Sequence, residues 1–221
     1  MTTKVFSEQS IMQLPQRYRA NFINSLSGFK SANLVGTTGA NGVNNLAIVS
    51  SVFHVGANPP LVGMLMRPHT VVRDTLENIK QQGVYTINHV HESIVEQAHQ
   101  CSARYEPDVS EFKVVGLTAQ MASAVNAPYV AESKIKFALQ VEQITKIDLN
   151  DTELVIGRIM EVSIPNSALL DDGYVDIEEA GSVAVSCLDS YHATKRIDRY
   201  SYAKPDTPLS SIWQDNNDTE S

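Results

Sequence analysis

Apolar runs separated by turn residues between positions 33 and 90 restrict the fold of this chain more than any other feature. The apolar segments 32–35 and 46–55 flank a turn rich in glycine and asparagine. Both residue types tolerate the positive φ that a reversing chain needs, so these segments predict a β-hairpin. After Asn58, Pro59 and Pro60, segment 61–66 is almost entirely apolar. A short apolar run of this kind indicates a strand buried on both faces.

A helix is predicted shortly after this strand. Val72, Leu76 and Ile79 are spaced so that they share one helical face, and Gly83 ends the pattern. The unsatisfied backbone N–H groups at a helix start can hold a phosphate without a metal ion. The side chains that could assist are Arg67, Thr70, Arg73 and Thr75. An ordinary capped surface helix explains the same residues, so both interpretations stay open here.

Short motifs follow one another in a specific order along this region. They are Asn45-Leu46-Ala47-Ile48-Val49-Ser50-Ser51, Asn58-Pro59-Pro60-Leu61, Arg67-Pro68, Thr75 with Ile79, and Tyr85-Thr86-Ile87-Asn88. In this order and spacing the chain resembles the flavin reductase-like family, and within it the flavoredoxin-like branch. The resemblance implies a mainly β fold with flanking helices, the FMN-binding split β-barrel, and FMN as the cofactor.

The resemblance also implies which residues contact the cofactor. Residues 45–51 would lie along the isoalloxazine ring and offer backbone N–H and C=O groups to its polar edge, with Ser50 nearest to the serine of the family. The arginine and threonine side chains after the apolar strand would face the phosphate, and Asn88 would lie where a strand returns past the flavin. The full cofactor-binding set is Asn45, Leu46, Ala47, Ile48, Val49, Ser50, Ser51, Arg67, His69, Thr70, Arg73, Thr75, Asn88 and His89.

Two further segments supply candidates for the substrate side of the flavin. Arg104 and Tyr105 lie in a segment similar to an insertion of one family branch, which packs beside the flavin, so they could cover the ring or meet a nicotinamide. Tyr191 and His192 belong to a polar and aromatic stretch, and an aromatic ring at a flavin edge would stack and exclude water. Anchoring of a loop and packing of a C-terminal arm against the barrel are the structural alternatives.

The remaining chain is expected to complete the barrel. Residues 135–147 and 153–164 carry apolar positions that alternate or cluster as barrel strands do, and residues 91–104 have the periodicity of a helix. We expect one flavin reductase-like domain over residues 1–205. Residues 206–221 are acidic and rich in Ser, Asn and Thr, so a flexible tail is expected there.

Composition argues against several classes of partner. The net charge of −8 disfavours binding to nucleic acid and to anionic lipid, since both need a basic patch. No run approaches the roughly 18 apolar residues of a membrane span, and the N-terminus lacks the order of a signal peptide. These observations predict a cytoplasmic protein. The histidines around position 91 lack the spacing of paired zinc ligands, so no metal site is predicted.

The family resemblance implies an oxidoreductase that passes electrons from NAD(P)H through FMN to a second flavin, to oxygen or to a small acceptor. Flavin N5 carries the hydride, so no catalytic acid or base side chain is expected. The family also implies a homodimer, because a second subunit closes the open side of the barrel. A non-catalytic FMN-binding electron carrier or redox sensor is the alternative, and relatives that resemble pyridoxamine-phosphate oxidase or handle haem share the same barrel.

Overall fold

A computed structural model describes residues 2–68 and 74–213. Its helices are α1 Glu8–Met12, α2 Gln16–Leu26, α3 Asp74–Gln82, α4 Val95–Gln100 and α5 Glu111–Val115, with 3-10 helices at Glu92–Ile94 and Asn166–Ala168. Its strands are β1 Lys30–Ser31, β2 Asn33–Thr38, β3 Asn44–Val49, β4 Val52–Ala57, β5 Pro60–Met66, β6 Val84–His89, β7 Ala119–Met121, β8 Pro128–Val130, β9 Lys136–Ile147, β10 Thr152–Ser163, β11 Ala184–Ser186 and β12 Ser190–His192. None of these helices is long and apolar enough to cross a membrane.

The main sheet has seven antiparallel strands in the order β3-β2-β6-β9-β10-β5-β4. Its outer strands β3 and β4 follow one another in the chain, joined by Ser50 and Ser51 alone. Two residues cannot span a flat sheet of this width, because adjacent strands lie about 4.8 Å apart. The sheet therefore curls until its edges almost meet. Ser51 secures the junction by donating its hydroxyl to the carbonyl oxygen of Leu65 at 2.6 Å.

The predicted hairpin is confirmed as β2 paired with β3, with Leu34 opposite Ile48 and Gly36 opposite Leu46. The strands predicted at 135–147 and 153–164 are β9 and β10, which pair along their length. Segment 46–55 forms two strands, because the chain bends at Ser50. This bend carries the chain from one edge of the sheet to the other.

Two apolar clusters lie on opposite sides of the sheet, since β2 is buried on both faces. Leu34 belongs to an outer cluster that α4 and α5 cover and that includes Leu46 and Phe112. Val35, the next residue, belongs to the barrel-interior cluster with Leu139. Full burial of such aliphatic side chains stabilises the fold by roughly 1.5–3 kcal/mol each. Because successive side chains of β2 point to opposite faces, this strand packs against both the barrel interior and the outer helical layer.

Helix α3 uses the face that its sequence pattern predicts. Leu76 and Ile79 are fully buried in the barrel-interior cluster. The helix ends at Gly83, whose φ of +69° lies in the region that glycine adopts without strain. Residues 69–73 lie outside the described part of the chain, so the roles predicted for His69, Thr70 and Arg73 stay predictions.

Two expectations differ from the structure. The helical segment predicted at 91–104 consists of a 3-10 helix and the short α4, because the chain turns at Cys101, where the side chain enters the outer cluster. Strand β5 is not buried on both faces, since Leu65 is 37% exposed. On that side Gly63 has no Cβ, and the Phe53 ring lies directly over it.

The C-terminal segment packs onto the barrel. Strands β1, β11 and β12 form a small sheet, so Tyr191 and His192 lie in a strand that the sequence did not predict. Farther along, the guanidinium carbon of Arg196 lies 3.5 Å from the ring centroid of Trp213. Residues 206–213 thus contact the chain that precedes them, within the part that the structure describes.

Candidate functional site

A cleft of about 1290 Å³ opens where the barrel is split. Its floor is β3 with the bend into β4, from Asn45 to Phe53. One wall comes from the end of β5 and the start of α3, and includes Arg67. Another wall comes from residues 99–107 and 185–191, together with the end of α2. Segments that are far apart in sequence therefore surround one edge of the sheet.

The floor offers backbone hydrogen-bonding groups. Alternate residues of an antiparallel strand direct their N–H and C=O groups to opposite edges, and β3 is an edge strand. The N–H of Leu46 faces away from β2, because it donates to Glu111 Oε2 at 2.9 Å. The N–H and C=O of Ile48 therefore face the same free edge, one strand period farther on. No strand of the described chain pairs with this edge, so it can bind the polar edge of a flat ring.

A buried polar network holds the start of β3. The Asn45 side-chain nitrogen donates to both carboxylate oxygens of Glu111, at 3.0 and 2.9 Å. Its oxygen accepts from the Thr75 hydroxyl at 2.7 Å and from the Thr37 hydroxyl at 3.3 Å. Asn78 donates to Thr37 Oγ1 at 3.1 Å. Because both ends of the Asn45 amide are used within the protein, its side chain supports the floor and is not free to bind a ligand.

Glu111 is a carboxylate with three N–H contacts and 7% exposure. Burial raises the pKa of its carboxyl group, and the charge of Asp74 raises it further. Hydrogen bonds from Leu46, from its own backbone N–H and from Asn45 oppose that shift, because they favour the ionised form. An acidic group thus lies beside the free edge of β3, and no ion pair within the described residues neutralises it.

Among the residues that the structure describes, the wall at the start of α3 has one exposed cation, Arg67. Arg67 makes no hydrogen bond or ion pair with the residues that the structure describes, so its guanidinium can meet an anion. Thr75 differs from its predicted role, since its only hydroxyl proton is already donated to Asn45. A phosphate oxygen needs a donor, so the Thr75 side chain does not serve one while this bond holds. Asp74 also lines the cleft and would repel an anion.

The wall formed by residues 99–107 and 185–191 contains three of the substrate-side candidates. Arg104, Tyr105 and Tyr191 all line the cleft. The Tyr191 hydroxyl lies 3.0 Å from His99 Nδ1, and the two rings meet edge to face with centroids 5.7 Å apart. The Tyr105 hydroxyl accepts from Gln100 Nε2 at 2.9 Å. Both tyrosines are half-buried, and the Tyr191 ring also packs against the outer cluster, so these contacts hold the wall in place beside the cleft.

Asn88 and His89 lie in the protein interior and are not among the cleft-lining residues. Asn88 donates to the carbonyl oxygen of Leu34 at 3.1 Å and accepts from the N–H of Val130 at 2.9 Å, which ties β6 to two neighbouring strands. His89 lies 3.0 Å from the Ser182 hydroxyl, and burial lowers the pKa of its imidazole to about 4. The roles predicted for these two side chains in cofactor binding do not match their positions, because their polar atoms are directed to the protein.

His192 and Leu46 are likewise turned away from the cleft. His192 lies 2.8 Å from the Ser186 hydroxyl and packs against the Phe29 ring, with centroids 4.7 Å apart. The Leu46 side chain is fully buried in the outer cluster, and only its backbone belongs to the free edge. Of the residues predicted at positions 45–51, the others line the cleft.

Glu111 is the site residue that the sequence analysis missed. It begins a helix of five residues and lies 66 positions from Asn45 along the chain. An acid at a helix start predicts only a favourable interaction with the helix dipole, so no local pattern marked it. Its role becomes visible only when α5 packs against β3.

Comparison with known proteins agrees with this architecture. Residues 26–178 match the model of the flavin reductase like domain. The chain therefore belongs to the flavin reductase-like family.

Solved structures share the whole fold. A candidate flavin reductase with a split barrel domain from Shewanella frigidimarina NCIMB 400 is 50% identical, with a TM-score of 0.88 over 91% of this chain and 100% of that one. Component B of nitrilotriacetate monooxygenase from Bacillus cereus is 19% identical, with a TM-score of 0.78 over 89% and 98% of the two chains. Flavoredoxin of Desulfovibrio vulgaris (Miyazaki F) is 24% identical, with a TM-score of 0.69 over 80% and 92%. The last two establish likeness of fold alone.

Proposed function

We propose that this protein binds FMN in the cleft and uses it to pass electrons from NAD(P)H to a second flavin, to oxygen or to a small acceptor. The observation that carries the proposal is the unpaired edge of β3 at Ile48, which opens into a large cleft at the split of the barrel. The family supports it, because its members in general use nicotinamides and flavins as substrates.

The cleft fits a flavin in size and in chemistry. Its volume of about 1290 Å³ exceeds the roughly 300–1,000 Å³ typical of a pocket for one small ligand, which leaves room for a flavin and a second substrate. Val49, Val52 and Phe53 give the floor apolar surface for an aromatic ring system. Arg67 provides a cation for the phosphate. We assign FMN over FAD because the motifs resemble those of FMN-binding relatives.

When bound, a flavin would supply an N5 atom that accepts a hydride. The residues of this chain would do the positioning. The Ile48 N–H would donate to the polar edge of the ring, where it would stabilise negative charge, and the apolar floor would exclude water from one ring face. Arg67 neutralises the phosphate. No side chain is required to move a proton in this scheme.

The wall with Arg104, Tyr105 and Tyr191 is our candidate for the nicotinamide side. An exposed guanidinium suits the phosphates of a dinucleotide, and tyrosine rings suit stacking on its bases. We also propose that this activity takes place in the cytoplasm.

We also propose that the protein is a homodimer. Helices α1 and α2 contain no buried residue, and apolar side chains of α2 and of the residues after it are exposed, including Tyr18 at 51%, Leu26 at 66% and Phe29 at 66%. Apolar surface of this extent suits burial against a second copy. Light scattering is expected to give the mass of two chains, and a mass of one chain would contradict the dimer.

The function is tested by the absorbance spectrum of the purified protein reconstituted with FMN, followed by anaerobic addition of NADH and then NADPH. Bleaching of the yellow band by either donor supports a reductase. A yellow protein that neither donor bleaches points to an electron carrier, the alternative on the same fold, or to a different reductant. A protein that does not bind FMN contradicts both functions.

Arg67→Ala tests the phosphate contact within this proposal. We expect FMN affinity to fall by roughly tenfold, because a charge-assisted hydrogen bond contributes about 1.5–3 kcal/mol, whereas stability is unchanged at this exposed position. Arg158→Ala is the matched control, since Arg158 pairs with Glu142 and does not line the cleft. Equal affinity of the two variants in a fluorescence titration removes Arg67 from the phosphate site.

A further inference from the structure

We infer that Glu111 is a positioning residue for the flavin. The Glu111 carboxylate takes the place of a missing strand along the first part of the free β3 edge, and it thereby aligns the backbone of Ile48. This inference rests on the proposed flavin function and deepens it. Nothing in the motifs of the family resemblance assigns Glu111, and it is carried by the geometry of one buried carboxylate.

The carboxylate occupies the place where a neighbouring strand would bind. Its Oε2 accepts the outward N–H of Leu46 at 2.9 Å, as a strand carbonyl would. Both of its oxygens also accept from the Asn45 side chain, which is in turn held by the hydroxyls of Thr75 and Thr37. Strand β3 is therefore attached to α5 on one side and to α3 through Thr75, in addition to its pairing with β2.

The contact between Glu111 and β3 lies at Leu46, two residues before Ile48, whose backbone groups would bind the ring. Leu46 is engaged by Glu111, and Ile48 is the next residue whose N–H and C=O face the same edge. An edge strand that is paired on one side only can twist and fray, and a fixed point two residues away limits that motion. Glu111 thus sets the direction in which Ile48 presents its groups to the cleft.

The donor set around Glu111 needs an acceptor-only group. Three N–H contacts converge on its two oxygens, and an ionised carboxylate satisfies them all. A glutamine has one acceptor oxygen and one NH₂ group, so it could keep the Leu46 contact but would turn a donor toward Asn45. An alanine keeps neither contact. These differences predict graded effects for the two substitutions.

The experiment compares wild type, Glu111→Ala, Glu111→Gln and the control Glu132→Ala. Glu132 is a matched control because both of its oxygens accept the backbone N–H of Thr118, at 3.0 and 3.1 Å, away from the cleft-lining residues. The first measurement is amide hydrogen exchange of each apoprotein, read for β3 against β9 and β10. The second is fluorescence titration with FMN, and the third is the visible spectrum of the FMN-saturated protein.

For Glu111→Ala we expect exchange in β3 to accelerate by a larger factor than exchange in β9 and β10, FMN affinity weaker by about tenfold, and a shifted flavin band. Glu111→Gln should lie between this variant and wild type, and it keeps the test valid if the alanine variant does not fold. Glu132→Ala should match wild type in affinity and spectrum. A purely structural role would accelerate exchange by the same factor in β3, β9 and β10 and would leave the spectrum of bound FMN unaltered.

Two failures are distinguishable. If wild type does not bind FMN, the proposed function fails, and the role of Glu111 toward a flavin fails with it. If wild type binds FMN and both Glu111 variants bind it with unchanged affinity and spectrum, the function stands and the inference is overturned. Uniformly faster exchange with an unshifted flavin band also overturns it.

Discussion

The floor of the cleft and the wall formed by residues 99–107 are built in opposite ways. At the floor, the Asn45 side chain is buried and bonded to the buried side chains of Thr75 and Glu111. On the wall, Arg104 is exposed, and within the described residues the Tyr105 hydroxyl makes one hydrogen bond, to Gln100. The floor is complete before any ligand arrives, while the wall has free polar groups.

This difference separates two tasks within one cleft. A site that is already ordered does not lose conformational entropy when its ligand binds, so the floor suits a cofactor that must be held in one pose. Exposed side chains can adapt at a modest entropic cost, so the wall suits partners that enter and leave. Variants on the floor should therefore change stability, and variants on the wall should change only binding.

The largest effect is expected for Asn45→Ala. Its loss removes the bond of the buried Thr75 hydroxyl and one of the bonds made by Glu111 and by Thr37. Glu111 keeps the N–H of Leu46, and Thr37 keeps Asn78. Lost bonds at buried polar groups are costly, so the free energy of unfolding should fall by about 4 kcal/mol. Urea denaturation measures this free energy of unfolding. Asn44→Ala is the control on the same strand, since the half-buried Asn44 side chain accepts one hydrogen bond from the part of the chain that the structure describes, from Thr38 at 3.0 Å. Similar losses for both variants would mean that the floor network adds no special stability.

The next largest effect is a dependence of stability on pH, which we expect to arise from His89. Burial lowers the pKa of the folded-state imidazole from 6.5 to about 4, so the unfolded chain binds more protons between these values. Stability should be full above pH 6.5 and fall as pH drops through this window, by about 3 kcal/mol in total. The test compares urea unfolding of wild type and His89→Gln from pH 7 to pH 4.

His89→Gln should show a smaller loss over that window, since the buried imidazole is gone. His99→Gln, in the wall of the cleft, should retain the slope of wild type. If the free energy of unfolding changes equally with pH in wild type and in His89→Gln, His89 does not carry this pH dependence.

A smaller effect is expected for Thr75→Val, which keeps the side-chain shape and removes the bond to Asn45 Oδ1. Stability should fall by about 1 kcal/mol, and FMN affinity should hold within a factor of about two, because the hydroxyl proton is not available to a phosphate. Thr152→Val, also in the cleft lining, is the control. A tenfold loss of FMN affinity would restore Thr75 to the phosphate site that its motif implied.

The smallest change in stability is expected for Arg104→Ala. Arg104 is exposed and unbonded within the described residues, so the free energy of unfolding should stay within about 0.5 kcal/mol of wild type. If the wall receives the dinucleotide, KM for NAD(P)H should rise several-fold while FMN affinity is unchanged. Steady-state kinetics beside an FMN titration separate the two, and an unaltered KM would assign the dinucleotide elsewhere.

Local patterns predicted much of the fold. Alternating apolar residues marked β9 and β10, and turn residues between apolar runs marked the β2–β3 hairpin, because both signals depend on neighbours in the chain. The helical periodicity at 91–104 predicted a helix that extends farther toward the C-terminus than α4, which ends at Gln100. Burial of Cys101 in the outer cluster redirected the chain, and tertiary packing of this kind overrides a weak local preference.

The sequence by itself determined most strands of the main sheet, the face of α3 that packs inside, and the motif order that marks the family. Tertiary structure alone decided which polar side chains meet in the cleft. Asn45 is satisfied by Thr75, 30 positions away, and by Glu111, 66 positions away. A buried polar group must have a partner, but many residues along a chain could provide one, and only the curled sheet brings these particular groups within hydrogen-bonding distance.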